Sequence, residues 1–189
     1  SGTGDVVQKV GEYTFTLPPT AFWQAHHQAL STYSDLITQW VTGGQYGVEP
    51  VGWDLYGGVG ALVPALHHAL GNNSHIHSVE SARIMATSGQ VTFGDNVHFH
   101  IGLVGNLVDT LPQPEVVVLD PPRVGAGADV VTRIAARKPQ RVIHIGCDPA
   151  TFATDIRAWS QAGYHLSDIV VVNAFPGTHH FETLGLLQP

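Results

Sequence analysis

The chain predicts an α/β fold: a mostly parallel sheet of seven strands, one of them antiparallel, with helices on both faces. Two observations carry this. From Val51 to Gln161, short β-branched and apolar runs alternate with stretches of helical spacing. The last two apolar runs, "DIVVVNAF" and "HFETLGLL", are joined only by a short turn, "PGTH". No crossover helix fits there, so that pair must be antiparallel. With 189 residues, 43% of them hydrophobic, the chain can build one sizeable core and perhaps a small appendage.

The elements follow in order. "YTFTLPPTAF" reads as a short strand closed by Pro18-Pro19. In "WQAHHQALSTYSDLITQWV", Leu30, Tyr33, Ile37, Trp40 and Val41 recur at helical spacing, and Gly43-Gly44 ends the pattern. Residues 1–44 are therefore expected to form a strand–helix extension, and residues 45–189 the sheet domain. "VGWDLY" is a strand ending in glycines. "VGALVPALHHAL" is a helix with Pro64 in its first turn, where a missing N–H is tolerated. "HIHSVE" is a strand, "SARIMATSG" a short helix, and "VHFHIGLV" and "EVVVLD" are strands. "DVVTRIAARK" is a helix, "RVIHIG" a strand and "PATFATDIRAWSQAG" a helix. A parallel seven-stranded sheet with one reversed strand is the usual shape of the class I methyltransferase fold, a Rossmann-like architecture.

Charge and composition narrow the function. The formal net charge is −7, with only eight Lys plus Arg, which argues against a self-sufficient phosphate-gripping surface. The single cysteine excludes a disulfide framework and a Cys-type zinc site, so a reducing, cytoplasmic compartment is the expectation. No apolar run has the length of a membrane span. The opening "SGTGD" reads as a cut end, so a longer parent protein is expected. The twelve histidines fall in scattered pairs with no Cys or carboxylate to complete a ligand set, so no metal site is expected.

Open α/β sheets bind ligands outside the carboxyl ends of their strands. Three segments reach that edge. In "DLYGGVGA" the glycines let a ligand approach the backbone. A dinucleotide fingerprint would want Gly or Ala at its last place, but "GVGALV" ends in Val63. An acid before the glycines and a second, Glu80, ending the next strand suit S-adenosylmethionine, whose ribose hydroxyls Glu80 can bind. The plain alternative is a glycine turn with no ligand. "LDPPR" aims Asp120 at the same crevice with a stiff proline-bound loop. Arg123 stands where enzymes that methylate amino groups commonly carry an aromatic. Glu182, inside an apolar strand pattern, is either a solvent-facing rim residue or a carboxylate held in the crevice. Cys147 in "HIGCDPATF" is either a buried inert thiol or a nucleophile.

Taken together the motifs resemble the RNA uracil-C5 methyltransferase family, which makes 5-methyluridine in tRNA and rRNA. "AFWQ" is similar to its F-x-Q, "DLYGGVG" to D-L-Y-C-G-x-G, and "LDPPRVG" to D-P-P-R-x-G. "GCDPATFATDI" is similar to S-C-N-P-x-T-x-x-R-D-L, and "FPGTHHFETLGLL" to F-P-x-T-x-H-V-E-x-V-x-L-L. The resemblance runs from about Phe15 to Leu187 with its motifs in the family's order. It implies that Cys147 is the nucleophile, Glu182 the general base, and Asp120 a catalytic residue at the uracil and donor pocket. It implies donor-binding roles for Gln24, Tyr56, Gly58, Gly60 and Glu80, with S-adenosylmethionine as the cofactor. The implied partner is tRNA or rRNA, presented as a single-stranded loop or a flipped uridine, with an upstream RNA-binding domain outside this chain.

Six exchanges mark this chain, two of them Thr154 in place of the usual Arg and His26 near where an Asn is common. Gly57 stands for the family's Cys and is expected to be harmless. Gly146 and Asp148 replace Ser and Asn, and a carboxylate beside the thiol is expected to oppose its ionisation. Leu103 follows Gly102 where the family often has Asp. Gly146, Asp148 and Leu103 motivate a rival: a methyltransferase-fold module that binds donor or RNA with impaired catalysis.

Overall fold

The structure, a computed structural model, describes residues 4–21, 23, 28–174, 177 and 181–189. It begins with a hairpin, β1 (Val6–Val10) and β2 (Tyr13–Leu17), turning at Gly11 with φ +57°. Only β2 is legible in the sequence. β1 shows no core-facing alternation, and all five of its residues are exposed or half-exposed, so periodicity had nothing to detect.

Helix α1 (Ala29–Val41) stops one residue before Thr42, and the Gly43-Gly44 stop lies just beyond. Trp23 is not helical, and residues 24–27 lie outside the described residues. Then come β3 (Val51–Leu55), α2 (Val63–Leu70), β4 (His75–Glu80), α3 (Arg83–Phe93) and β5 (Val97–Ile101). Pro64 sits in the first turn of α2. Helix α3 runs through Gly89 instead of ending there. A Cβ on Gly89 would lie 2.4 Å from Phe99 and 2.7 Å from the Val59 carbonyl, so this glycine is a close-approach point, not a stop. The expected long strand "VHFHIGLV" divides: β5 ends at Ile101, and a single turn, α4 (Val104–Leu107), follows.

The chain continues through β6 (Val116–Leu119), α5 (Ala128–Ala136), β7 (Arg141–Gly146), α6 (Pro149–Gln161), β8 (His165–Val172) and β9 (Glu182–Gln188). The seven-stranded sheet has the order β5-β4-β3-β6-β7-β9-β8. β9 runs antiparallel to both neighbours, and the other strand pairs of this sheet are parallel.

The central strand β6, "VVVL", is buried on both faces, as expected of a parallel sheet covered by helices. Its alternate residues enter two cores. Val116 and Val118 pack with Ile37 of α1, Leu66 of α2 and Phe93 of α3. Val117 and Leu119 pack with Ile134 of α5 and Trp159 of α6. Phe15, Leu17 and Tyr33 share the first of these cores, so the N-terminal elements pack directly on the sheet's helical layer. Among the described residues, no helix is long and apolar enough to cross a membrane.

Candidate active site

Five neighbouring strands each deliver one group to the same edge. Leu55 is level with Val79 on β4 and with Leu119 on β6, so the next residues, Tyr56, Glu80 and Asp120, stand abreast. Leu119 is level with His144 on β7, and Cys147 lies three residues further on. The β7–β9 ladder ends at Gly146 opposite Thr183. One more antiparallel step sets Cys147 across from Glu182. Residues far apart in sequence thus meet through strand order and register.

The glycine turn is tightly tied. Tyr56 takes φ +60°, an uncommon conformation for a bulky residue and one that stores strain. Gly57 N donates to the Val79 carbonyl and Gly60 N to the Gly57 carbonyl. A Cβ on Gly57 would lie 2.1 Å from Asp54 Oδ2, so a side chain here has to displace that carboxylate. The Gly-for-Cys exchange is thus coupled to Asp54 and is not neutral in this chain. Gly58, at φ +58°, lines the crevice. Gly60 instead approaches Phe93 and Phe99, where a Cβ would meet both rings at 3.0 Å.

Glu80 is already engaged. One oxygen accepts from Gly58 N at 3.1 Å, and the other from Ser81 Oγ at 3.1 Å and Ala82 N at 2.5 Å. Of about four acceptor sites on a carboxylate, one remains. Binding both ribose hydroxyls would require Ser81 Oγ or another donor to let go.

The middle of the crevice is acidic and poorly solvated. Asp54 is buried and accepts from Ser78 Oγ at 2.9 Å, yet burial still pushes its carboxyl up to about 7, with Asp120 and Glu80 adding repulsion. Asp120 is raised to about 7 by burial and by Glu182. Glu182, 3% exposed, is raised to about 7 by burial. Burial also raises the Cys147 thiol, followed by Glu182 and Asp120, and Arg123 pulls the other way.

Asp148 is not among those causes. It caps α6: one oxygen accepts from Ala150 N at 3.0 Å and Thr151 N at 2.9 Å. These bonds and the nearby Arg123 hold its carboxyl below the usual range. The expected opposition to thiolate formation is thus corrected. The Asp148 charge is spent on the helix N-terminus, as capping chemistry favours, and the like charges that raise Cys147 come from Glu182 and Asp120. Gly146 is similarly explained, because a Cβ there would meet Phe152 at 2.9 Å.

Two further residues make contacts that no motif announces. Asp155, buried, accepts from Ala126 N at 2.7 Å and Gly127 N at 3.0 Å, and lies 3.4 Å from His144. Together with Thr151 Oγ1, which donates to the Arg123 carbonyl at 3.0 Å, it ties the "DPPRVG" loop to α6. The D in "FATDI" was the available signal. The spacing of Tyr33 predicts only a helical core position, but the residue lines the crevice with Trp23, Asp54, Tyr56 and Asp120.

Gln24, expected on the donor, and the motif histidine His180 lie outside the described residues. Among the described histidines, His77 Nδ1 lies 2.9 Å from His100 Nε2, His67 bonds Ser74, and His144 accepts from Trp159. No group of three His, Cys, Asp or Glu among the described residues has the geometry to hold a metal ion.

Strand order, the reversed β9 and the glycine turn together define the class I methyltransferase fold. The comparisons with known proteins extend this. The tRNA (uracil-5-)-methyltransferase family profile matches residues 72–189, and the chain belongs to that family. It is 52% identical over 190 residues to an uncharacterized RNA methyltransferase of Corynebacterium efficiens, covering 98% of this chain and 45% of that protein. It is 30% identical to an uncharacterized RNA methyltransferase of Thermotoga maritima, covering 96% of this chain and 41% of that protein. The chain thus spans less than half the length of these relatives. Its fold matches the Pyrococcus abyssi tRNA (uracil-54, C5)-methyltransferase, solved in complex with S-adenosyl-L-homocysteine. The TM-score is 0.81 at 21% identity, over 99% of this chain and 44% of that one.

Proposed function

We propose that this chain carries the catalytic site of an S-adenosylmethionine-dependent RNA uracil-C5 methyltransferase, with residues 45–189 as the methyltransferase domain and residues 1–44 as an extension over it. The observation that carries this reading is the β7–β9 register, which sets Cys147 opposite Glu182 with Asp120 two strands from β9.

The crevice suits a cationic, partly apolar donor. Asp54 and Asp120 are carboxylates raised by desolvation in a crevice also lined by Trp23, Leu62 and Met85. A buried negative cluster gains when a positive ligand enters it. Tyr56 and Gly58 offer the glycine-turn wall, and Glu80 its remaining acceptor site. When bound, S-adenosylmethionine supplies an electrophilic methyl group on a positively charged sulfur.

Uracil C5 is a weak nucleophile. Addition of the Cys147 thiolate to C6 shifts the C5=C6 electron pair and makes C5 electron-rich. Arg123 and the N-terminus of α6 favour the thiolate against the carboxylates that oppose it. Glu182, with its carboxyl near neutrality, is matched to removing the C5 proton. The pair that re-forms C5=C6 then expels Cys147. Asp120 accepts from the uracil N3–H. The target base must leave its stack to reach this edge. With a net charge of −7, most of the RNA phosphate grip comes from outside this chain.

The test is 5-methyluridine formation on tRNA and rRNA, mapped by nucleoside analysis. Cys147→Ala is expected to lose activity by about 10⁴-fold or more. A Cys147→Ala protein that methylates at the normal rate would sink the mechanism.

A further inference from the structure

Helix α6 reaches the loop that follows Asp120 with two side chains one turn apart. Thr151 Oγ1 donates to the Arg123 carbonyl at 3.0 Å. Asp155 accepts from Ala126 N at 2.7 Å on one oxygen and from Gly127 N at 3.0 Å on the other. Gly125 and Gly127 both take φ +82°, which favours glycine and lets the backbone curl around the carboxylate. A Cβ on Gly125 would lie 2.7 Å from Asp155 Oδ2, so no side chain fits between them.

Asp155 is itself held from behind. It and His144 are both buried. His144 Nδ1 accepts from Trp159 Nε1 at 3.1 Å. An indole N–H can only donate, so the ring proton sits on Nε2, which faces Asp155 Oδ2 at 3.4 Å. Burial works against the Asp155 charge, but His144 and the two loop N–H groups more than offset it and hold the carboxyl below its ordinary range. The row Trp159, His144, Asp155 thus ends on a loop whose residues Pro122, Arg123 and Val124 are exposed. Water could satisfy such loop N–H groups, so a buried, ionised acceptor here specifies where the loop sits. The same helix face is tied to the thiol. Thr151 N donates to Asp148 Oδ1 at 2.9 Å, and Asp148 follows Cys147 in the chain. The Arg123 carbonyl is therefore linked through one side chain to the residue beside Cys147.

We propose that Thr151 and Asp155 are positioning residues, which clamp the 123–127 loop to α6 and so hold Arg123 at the Cys147 end of the crevice before RNA binds. Their role in turnover rests on the uracil-C5 reading above, whereas their effect on the thiol does not. Held there, the Arg123 cation favours the thiolate against Glu182 and Asp120. With the clamp released, the cation turns to solvent, where water and salt screen it from the thiol.

Thr151→Val keeps the shape and removes the hydroxyl, and Thr151→Ser restores it. Asp155→Asn offers one acceptor oxygen to two N–H groups. In Thr151→Val and Asp155→Asn the pH midpoint of Cys147 alkylation by iodoacetamide, read without RNA or donor, is expected to move upward. Thr151→Ser is expected to return it to the wild-type value. In an Arg123→Ala background the Thr151→Val shift is expected to vanish, because the clamp acts through that cation. Turnover on RNA is expected to fall about 10- to 10²-fold in Thr151→Val, the scale of a small misplacement, with donor affinity by calorimetry unchanged. If Asp155→Asn does not fold, the Thr151 series decides alone. A lower melting temperature with the alkylation midpoint and the turnover of the folded fraction unchanged would leave a purely structural tie and overturn the assignment. So would a Thr151→Val shift that persists in full without Arg123. If the wild-type chain makes no 5-methyluridine, the reading of the function falls, and the alkylation series still upholds or overturns the clamp.

Discussion

At the β3–β4 end of the crevice the polar groups are already paired, whereas at the β7–β9 end they are not. Glu80 holds three hydrogen bonds, two of them from backbone N–H groups, and the glycine turn is pinned by its own backbone. Among the described residues Glu182 Oε2 has no partner, and the Cys147 thiol is held above its ordinary range. The first region is a preformed socket, whose groups are oriented before any ligand arrives. The second stores electrostatic cost that a bound base can relieve, so under the proposed mechanism binding energy is released at the reacting carbons. Asp54 and Asp120 lie between the two and couple them.

This contrast can be broken most directly at Glu182. Glu182→Gln keeps the shape and removes the proposed base. Turnover is expected to fall about 10²- to 10⁴-fold, and a covalent RNA–protein adduct through Cys147 is expected to accumulate on denaturing gels. An unchanged rate would remove Glu182 from proton transfer and leave only a rim carboxylate.

The coupling of the two ends is read by pH. Asp54, Asp120 and Glu182 are raised from ordinary carboxylate values to about 7. In the free chain they hold protons that the unfolded chain loses, so their contribution to stability is full below about pH 4 and lost as pH rises through about 7. A cationic donor prefers the ionised carboxylates. Donor affinity measured by calorimetry is therefore expected to rise with pH up to about 7, by about tenfold per pH unit for each group fully coupled to it, with proton release below that pH. A flat profile would show that the donor does not sense these acids.

The smallest effect is expected at Asp148. Asn caps a helix about as well as Asp, and the Asp148 charge is absent from the groups that raise Cys147. Asp148→Asn should leave the melting temperature nearly unchanged and the pH dependence of Cys147 alkylation in place. Because the chain has one cysteine, iodoacetamide labelling reads that thiol directly. A large downward shift on substitution would restore Asp148 as the brake on the thiol.

Much of the architecture was legible because parallel strands buried on both faces leave continuous apolar runs, as in "EVVVLD" and "RVIHIG". The hairpin strand β1 was not, because its exposed side chains carry no periodic signal. The divided β5–α4 segment was not, because a run that bends at Gly102 is as apolar as one that does not. In the site, Cys147, Asp120, Glu182 and the glycine turn stand in local motifs with a readable chemistry. Tyr33 stands in no motif, and its unpartnered hydroxyl exists only once α1 is packed over the crevice.

By itself the sequence determined the strand–helix alternation, the reversed final strand and the residues offered at the carboxyl edge, because hydrophobic period and turn length are local properties. Only the tertiary structure decided which of those residues meet and in what charge state. That depends on strand order, on the step that sets Cys147 across from Glu182, and on the burial that turns three ordinary carboxylates into groups poised near neutrality.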